Sequence, residues 1–355
     1  MDIEEYMCRD TLNEAAQLGF GKLYVSEESG GVGLSRESAS VVFEALSKGC
    51  VSTTAYLSIH NMCSWMIDTF GTQSQKDLYL EKLCSMEYLG SYCLTEPNSG
   101  SDATSIKTTA SLVNNEYVLN GTKAFISNGG DSDMYIVMAR TGGPGPKGIS
   151  TLLVPKSSEG LSFGKKESKV GWNSQPTRMV IFENCKVPKE NLLGGVEGQG
   201  FKYAMMGLDG GRINIASCSL GAAQMSIEQT VDYCSSREQF GQPISKFQNT
   251  QFEVASMASG LFASRTAVRQ AAILLDGSGG YPKSTITAAV AMAKQFATDT
   301  CFDICNRSLQ LHGGYGYLKD YPVQQFMRDT RVHQILEGTN EIMKVIVSRS
   351  IFNAV

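Results

Sequence analysis

A carboxylate in an apolar setting stands near the carboxyl end of the chain. Glu337 follows Ile335 and Leu336 and precedes a glycine, and Thr339 or Asn340 can cap the helix that begins next. A helix amino terminus offers N–H donors to anionic ligand atoms. A carboxylate held among apolar residues gains proton affinity, which suits a general base. The pattern therefore favours either proton abstraction or simple helix capping.

Two loops rich in glycine and hydroxyl groups can present hydrogen-bond donors to an anion. Residues 92–102 follow a short apolar strand, and residues 310–317 follow a helix. In the second loop, Gly313 and Gly314 suit either a helix carboxyl cap or a close approach of the backbone to a ligand. Neither loop matches a P-loop or a Rossmann fingerprint. By pattern alone, each is a surface turn or a binding loop.

Composition argues against several classes of function. The 31 basic and 35 acidic residues give a net charge of −4, which leaves no basic excess for nucleic acid. No apolar run approaches the roughly 18 residues needed to span a membrane. Three histidines without an H-E-x-x-H pattern predict no metal site. Ten irregularly spaced cysteines with no C-x-x-C predict free thiols in a reducing compartment.

The residue pattern divides the chain into three parts, and we predict an α+β fold of several domains. Residues 1–87 form an N-terminal helical domain, 88–195 a β domain, and 196–355 a C-terminal four-helix bundle. Apolar periodicity places helices near Leu12–Leu18 and over 38–46, 56–70, 74–83, 205–234, 249–275, 282–311 and 339–352. Short β-like runs lie at 134–139, 149–154 and 178–182, and the Asn120-Gly121 pair predicts a hairpin turn within residues 116–127.

Six stretches, taken together and in order, resemble the acyl-CoA dehydrogenase family. The similarity covers essentially the whole chain and begins near the family's second helix, so we expect relatives to carry an additional N-terminal helix. The resemblance implies that the β domain is a small barrel. The matching stretches are residues 20–34, 92–102, 123–130, 237–243, 310–316 and 337–341.

The resemblance implies a reaction and a base. Glu337 would remove the α-proton of an acyl-CoA, and the β-hydrogen would leave as hydride to flavin N5 of FAD. Some family members carry the base at the position of Gly211, which has no side chain here, so the resemblance assigns this role to Glu337. The mechanism needs no second base, and we therefore expect His312 and His333 to be structural.

The resemblance also implies binding residues. The cofactor contacts within one subunit are Tyr92, Leu94, Thr95, Gly100, Ser101, Phe125, Ser127, Thr339 and Glu341. The contacts that a second subunit makes with the FAD are Arg237, Phe240, Gln248, Gln310, Leu311, Gly313 and Gly314. The residues that bind the substrate are Ser101, Leu208, Asp209, Arg212 and Gly338.

Substrate, partners and location are also implied by the resemblance. Residues 140–150, 170–177 and 318–321 resemble the short branched-chain members, which implies conversion of isobutyryl-CoA to methacrylyl-CoA in valine breakdown. The alternatives are 2-methylbutyryl-CoA or straight short-chain acyl-CoA as substrate, an oxidase, or a non-catalytic member. The expected electron acceptor is electron-transferring flavoprotein. We expect a homotetramer, located in the mitochondrial matrix in an animal and otherwise in the cytoplasm.

The predicted homotetramer also accounts for the low content of charge. Charged residues make up 19% of the chain, against about 25% in typical soluble domains. Part of the apolar surplus is then expected to be subunit interface rather than core.

Overall fold

The helices of this computed structural model, which describes residues 1–352, follow the predicted periodicity closely. Every predicted helix is present, and the short helix α8 was not predicted. The last three residues of the predicted C-terminal domain, 353–355, lie outside the described residues. The α-helices are α1 (Arg9–Gln17), α2 (Arg36–Ser47), α3 (Val51–Phe70), α4 (Gln73–Cys84), α5 (Gly200–Ser236), α6 (Gln248–Leu275), α7 (Lys283–Leu311), α8 (Val323–Arg331) and α9 (Asn340–Phe352).

Seven strands form one mixed sheet between α4 and α5. Its order is β1-β4-β2-β3-β7-β6, with β5 also paired to β4. Strand β1 runs parallel to β4, whereas β4–β5 and β3–β7 are antiparallel. The helix–sheet–helix order confirms the predicted α+β class. The strands are β1 (Gly90–Cys93), β2 (Thr109–Val113), β3 (Glu116–Ser127), β4 (Met134–Arg140), β5 (Ile149–Pro155), β6 (Leu161–Phe163) and β7 (Thr177–Pro188), followed by a two-strand ribbon of β8 (Glu238–Gln239) and β9 (Gln242–Pro243).

The predicted hairpin turn at Asn120-Gly121 is wrong. Strand β3 runs through both residues, and the turn lies at Asn114 and Asn115, whose φ angles are 48° and 71°. Gly121 has a φ of +149°, and a Cβ there would lie 2.4 Å from Oγ1 of Thr108. The pairing register of β3 with β7 shifts at this point. The glycine therefore serves a β-bulge and a close chain approach rather than a turn.

The chain folds into two compact units, each with its own core. The first unit carries the sheet, whose strands bury Tyr135, Val137 and Leu152 completely. In the second unit, α7 packs against α6, α8 and α9, with small residues such as Ala293 and Ala297 at the contacts. The first unit contains residues 1–35, 56–169 and 173–211, and the second contains residues 36–55, 170–172 and those from 212 onward.

Three general features bear on function. Throughout residues 1–352, every helix is too short or too polar to span a membrane. The same residues contain no group of three or more His, Cys, Asp or Glu side chains placed to hold a metal ion. All ten cysteines are free, and eight of them are buried.

Candidate active site

Glu337 lies in a tight turn that leads into α9. Its φ is +57° and that of Gly338 is +90°, so two consecutive residues adopt left-handed backbone conformations. A left-handed conformation is costly for a residue with a side chain and persists only where the surroundings enforce it. The Oγ1 atom of Thr339 accepts from the N–H of Ile342 at 3.3 Å and caps the helix. Capping is thus performed by Thr339, and Glu341 stands exposed in the first turn.

The side chain of Glu337 is partly covered, and one of its carboxylate oxygens has no hydrogen-bond partner within the described residues. This oxygen, Oε2, is buried. Burial raises the pKa of Glu337 to about 7, although the positive charges of Arg212 and Lys294 oppose the rise. A carboxyl group with a pKa near neutrality and a free oxygen can accept a proton at physiological pH.

Two cations bind consecutive main-chain carbonyls of this turn. The Nε atom of Arg212, on α5, donates to the carbonyl of Glu337 at 3.0 Å. The Nζ atom of Lys294, on α7, donates to the carbonyl of Gly338 at 2.9 Å. Arg212 and Gly338 were both predicted as substrate residues, whereas Lys294 was not singled out in the sequence. Its only sequence signal was a cation in an Ala-rich helix.

In the first unit, the loop at 92–102 is held by a buried ion pair. The Oε1 atom of Glu96 accepts from Nζ of Lys123 at 2.8 Å, and its carboxylate also accepts the N–H groups of Lys107 and Thr108. Nζ of Lys123, which is completely buried, also donates to the carbonyl of Leu94 at 3.0 Å. Sequence reasoning missed both members of this pair, although each lies within a family-like stretch.

The cofactor and substrate residues predicted in the first unit fall into two groups. Leu94 and Leu208 are buried in one apolar cluster, and the hydroxyl of Tyr92 donates to the carbonyl of Ala204 at 3.4 Å. Asp209, which follows Leu208 on α5, is also buried. The remaining residues are accessible or only partly covered: Thr95, Gly100, Ser101, Phe125 and Ser127.

Phe125 is conspicuous among the accessible residues. It is 72% exposed and has a φ of +58°. An exposed aromatic ring on left-handed backbone suits contact with a planar ligand. A Cβ on Gly100 would have no atom of the chain within 4 Å, which leaves the loop backbone open. These features fit a flavin ring.

A cavity in the second unit brings five predicted residues together. It has a volume of about 410 Å³ and is lined by Arg237, Gln310, Leu311, Gly313 and Gly314, together with aromatic side chains. A Cβ on either glycine would meet no atom within 4 Å, so the backbone is open to a ligand. A guanidinium beside open backbone suits a diphosphate. The residues present therefore fit the adenosine diphosphate part of FAD.

Two other residues predicted to contact the cofactor of a second subunit lie outside this cavity. Phe240 stands at the tip of the β8–β9 ribbon, has a φ of +53° and is 93% exposed. Gln248 is exposed at the first position of α6. Neither lines the cavity, and each presents its side chain away from the core of the second unit.

Both histidines of interest are engaged in packing. The Nδ1 atom of His333 lies 2.6 Å from Oγ of Ser219, and its Nε2 atom accepts from Nε1 of Trp172 at 3.2 Å. Burial lowers the pKa of His333 to about 3, so the ring is neutral. His312 lies 2.7 Å through Nδ1 from the carbonyl of Ser308 and stacks on Tyr233 at 4.4 Å.

Three family models match consecutive parts of the chain. The N-terminal domain of acyl-CoA dehydrogenase matches residues 1–87, the middle domain matches residues 91–185, and the C-terminal domain matches residues 198–352. Together they account for nearly all of the sequence. The three matches follow the helical, β and helical parts of the structure.

Individual relatives agree with these matches. The chain is 58% identical to mitochondrial isobutyryl-CoA dehydrogenase of Bos taurus, over 99% of this chain and 83% of the relative. It is 56% identical to the enzyme of that name from Dictyostelium discoideum, with the same coverage of each chain. The structure of butyryl-CoA dehydrogenase from Megasphaera elsdenii superposes with a TM-score of 0.94 at 38% identity, over 99% of this chain and 92% of the other.

Proposed function

The chain belongs to the acyl-CoA dehydrogenase family, a family of flavoprotein oxidoreductases that act on acyl-CoA, and we propose that its substrate is isobutyryl-CoA. The product is then methacrylyl-CoA, an intermediate of valine breakdown. Support comes from the two relatives at 58% and 56% identity, which both carry the name isobutyryl-CoA dehydrogenase. The alternatives are 2-methylbutyryl-CoA and straight short-chain acyl-CoA.

The proposed base is Glu337. The observation that carries this assignment is its buried, unpartnered Oε2 atom on a carboxyl group with a pKa of about 7. This atom takes the α-proton, and the main-chain N–H of Glu337 donates to the thioester oxygen as negative charge develops there. The β-hydrogen then leaves with its electron pair, and the α–β bond becomes double. Bound FAD supplies the acceptor for that hydride.

The proposed FAD contacts come from both units of the chain. The cavity beside Arg237 takes the diphosphate end, and we propose that it serves the cofactor of a neighbouring subunit, together with Phe240 and Gln248. Binding of the cofactor by the first unit falls to the loop at 92–101 and to Phe125 and Ser127. Thr339 and Glu341 contribute from the start of α9.

We further propose a homotetramer that passes electrons to electron-transferring flavoprotein. Support for assembly comes from α6, because every exposed residue on this 28-residue helix is uncharged, including Phe252 and Phe262. A face with two accessible aromatic rings and no fully exposed charge suits burial against another subunit. Because both named relatives are mitochondrial proteins, we propose the mitochondrial matrix as the location if the source is an animal.

Anaerobic reduction by a panel of thioesters tests the substrate. Purified protein is mixed with isobutyryl-, 2-methylbutyryl-, butyryl- or isovaleryl-CoA, and loss of flavin absorbance is followed. We expect a yellow protein that isobutyryl-CoA bleaches with the highest kcat/KM. A higher value for another thioester would reassign the substrate, and a folded tetramer without flavin would refute the flavoenzyme proposal. Hydrogen peroxide formation without another acceptor would indicate an oxidase.

A further inference from the structure

Lys294 is a buried cation that the proposed reaction does not use. It lies in the middle of α7 and has no exposed surface. Its Nζ atom donates to the carbonyl of Gly338 at 2.9 Å and to Oδ1 of Asn340 at 2.8 Å. A buried ammonium group is expensive unless it is fully hydrogen-bonded. Its placement therefore needs a reason beyond packing.

The partners of Lys294 are the residues that immediately follow Glu337. Lys294 and Arg212 donate hydrogen bonds to two consecutive carbonyls, those of Gly338 and Glu337 respectively. These are also the two residues with left-handed backbone, at φ angles of +57° and +90°. Hydrogen bonds from charged donors are about twice as strong as neutral ones. The two cations therefore stabilise a turn whose left-handed backbone conformation is otherwise unfavourable.

A second layer of hydrogen bonds fixes the amide of Asn340. Its Nδ2 atom donates to Oγ1 of Thr298 at 3.0 Å and to Oδ1 of Asp299 at 2.7 Å. The same Asp299 oxygen accepts from Nε2 of Gln334 at 2.7 Å. Because both amide donors are engaged, Oδ1 is left to face the lysine. These hydrogen bonds connect the turn and the start of α9 to α7.

Resting on the proposed role of Glu337 as base, we propose that Lys294 is a positioning residue. Its ammonium group anchors the Gly338 carbonyl, so that the Glu337 carboxylate is held in the geometry and the electrostatic field needed for α-proton removal. Lys294 acts through the main chain and through its charge, and it does not touch the substrate.

The charges around Glu337 determine the direction in which its pKa changes when Lys294 is replaced. Glu337 is influenced by Arg212 from α5 and by Lys294 from α7, and both lower its pKa against the effect of burial. Burial lowers the pKa of Lys294 to about 8, and the charge of Arg212 lowers it further. The charges of Glu337, Asp299 and Glu341 oppose this decrease. Removing the ammonium group takes away one of the two cations opposing burial. The pKa of Glu337 should then rise further.

The test compares K294M with K283M, a matched control at the exposed first position of α7. In the holoenzyme, we expect K294M to keep its FAD and its KM, while kcat falls about 10- to 100-fold because the base is misplaced. The pH profile of kcat/KM should also move to higher pH. K283M should behave as wild type. Should K294M fail to fold, K294Q removes the charge and keeps a donor, and the same upward shift is expected.

A second measurement needs no catalysis. The stability difference between the Glu337 and E337Q proteins is measured against pH, with and without K294M. Since burial raises the folded pKa of Glu337 above its usual value, this difference changes between about pH 4.5 and 7 in the parent. K294M should extend the change to higher pH. An unmoved window and an unmoved pH profile, or a loss confined to KM or FAD content, would overturn the proposal. Failure of the proposed function would appear separately, as wild-type protein that no thioester bleaches.

Discussion

The Nε atom of Arg212 donates to the main-chain carbonyl of Glu337 at 3.0 Å. An arginine this close to a buried carboxylate would ordinarily pair with it in a bidentate fashion. Here it bonds the backbone, and Oε2 of Glu337 has no hydrogen-bond partner in the described part of the chain. The cation thus contributes charge and holds the turn without occupying the oxygen that is proposed to accept the proton.

Substitution E337Q should separate binding from proton transfer. The amide has nearly the same shape but does not accept the α-proton, so we expect the protein to stay folded and yellow while thioester bleaching slows at least 10³-fold. Anaerobic stopped-flow absorbance measures this rate. E183Q, an exposed carboxylate on β7, is the matched control and should be bleached normally. Rapid bleaching of E337Q would assign the base elsewhere.

Substitution G338A tests the left-handed turn. Gly338 has a φ of +90°, and an added Cβ would lie 2.7 Å from Cε of Met343. The methionine end is flexible, so the conformational strain of about 1–3 kcal/mol should dominate the loss of stability. We expect a lower unfolding midpoint together with slower bleaching, because the strain falls next to Glu337.

Gly277 offers a matched control for this experiment. Its φ is +94°, and an added Cβ would have nothing within 4 Å. G277A should therefore show a comparable loss of stability in thermal or denaturant unfolding, with bleaching unchanged. Equal activity losses in the two variants would show that strain at Gly338 has no special connection with the reaction.

The sequence predicted helices better than connections. Helices α6 and α7 begin within a residue of their predicted starts and end where predicted, because long amphipathic periods bounded by glycine or proline are strong local signals. Helix α8 has only nine residues and was missed. The Asn120-Gly121 pair was misread because a bulge and a turn use the same residue types. Only the approach of Thr108, set by tertiary structure, distinguishes the two.

The candidate site also contains residues that the sequence revealed and residues that it did not. The residue pattern alone left Glu337 as either a base or a capping residue, and the family resemblance then assigned it the role of base. The position of Glu337 was thus recognised from the sequence. Lys294 and Lys123 were not, since a lysine in a sequence is normally a surface residue. Their burial depends on partners 44 and 27 residues away, Gly338 and Glu96. The positions of such partners become visible only once the chain has folded.

Acid should destabilise the protein through His60. This ring is buried, accepts the N–H of Gly90 through Nδ1 at 3.1 Å, and lies 2.8 Å through Nε2 from the carbonyl of Leu83. Burial lowers its pKa from 6.5 to about 4. Because the folded state holds the neutral form, the stabilisation is present above pH 6.5 and is lost as the pH falls toward 4. The difference corresponds to about 3 kcal/mol.

Denaturant unfolding at pH 7.5, 6 and 5 measures this effect. H60N should be less stable at pH 7.5 and should lose less stability on acidification than wild type. The control is H312N in the second unit. Burial also lowers the pKa of His312, but the contact of its ring with the carbonyl of Ser308 opposes that decrease, so this residue should contribute a smaller slope. A pH dependence of H60N parallel to that of wild type would place the acid sensitivity in other groups.

Charge on α6 should break the proposed tetramer. Phe252 and Phe262 are 60% and 71% exposed on a helix whose charged residues are all at least partly covered. In the double variant F252E/F262E, assembly would bury two carboxylates without partners, which disfavours association by several kcal/mol. Sedimentation velocity should show smaller species, and FAD should be lost because the Arg237 cavity is proposed to serve a neighbour's cofactor. L18E, at a residue 73% exposed in the first unit, should leave both unchanged. If F252E/F262E sedimented like the wild type, a subunit interface on α6 would not account for the low content of charged residues in this chain.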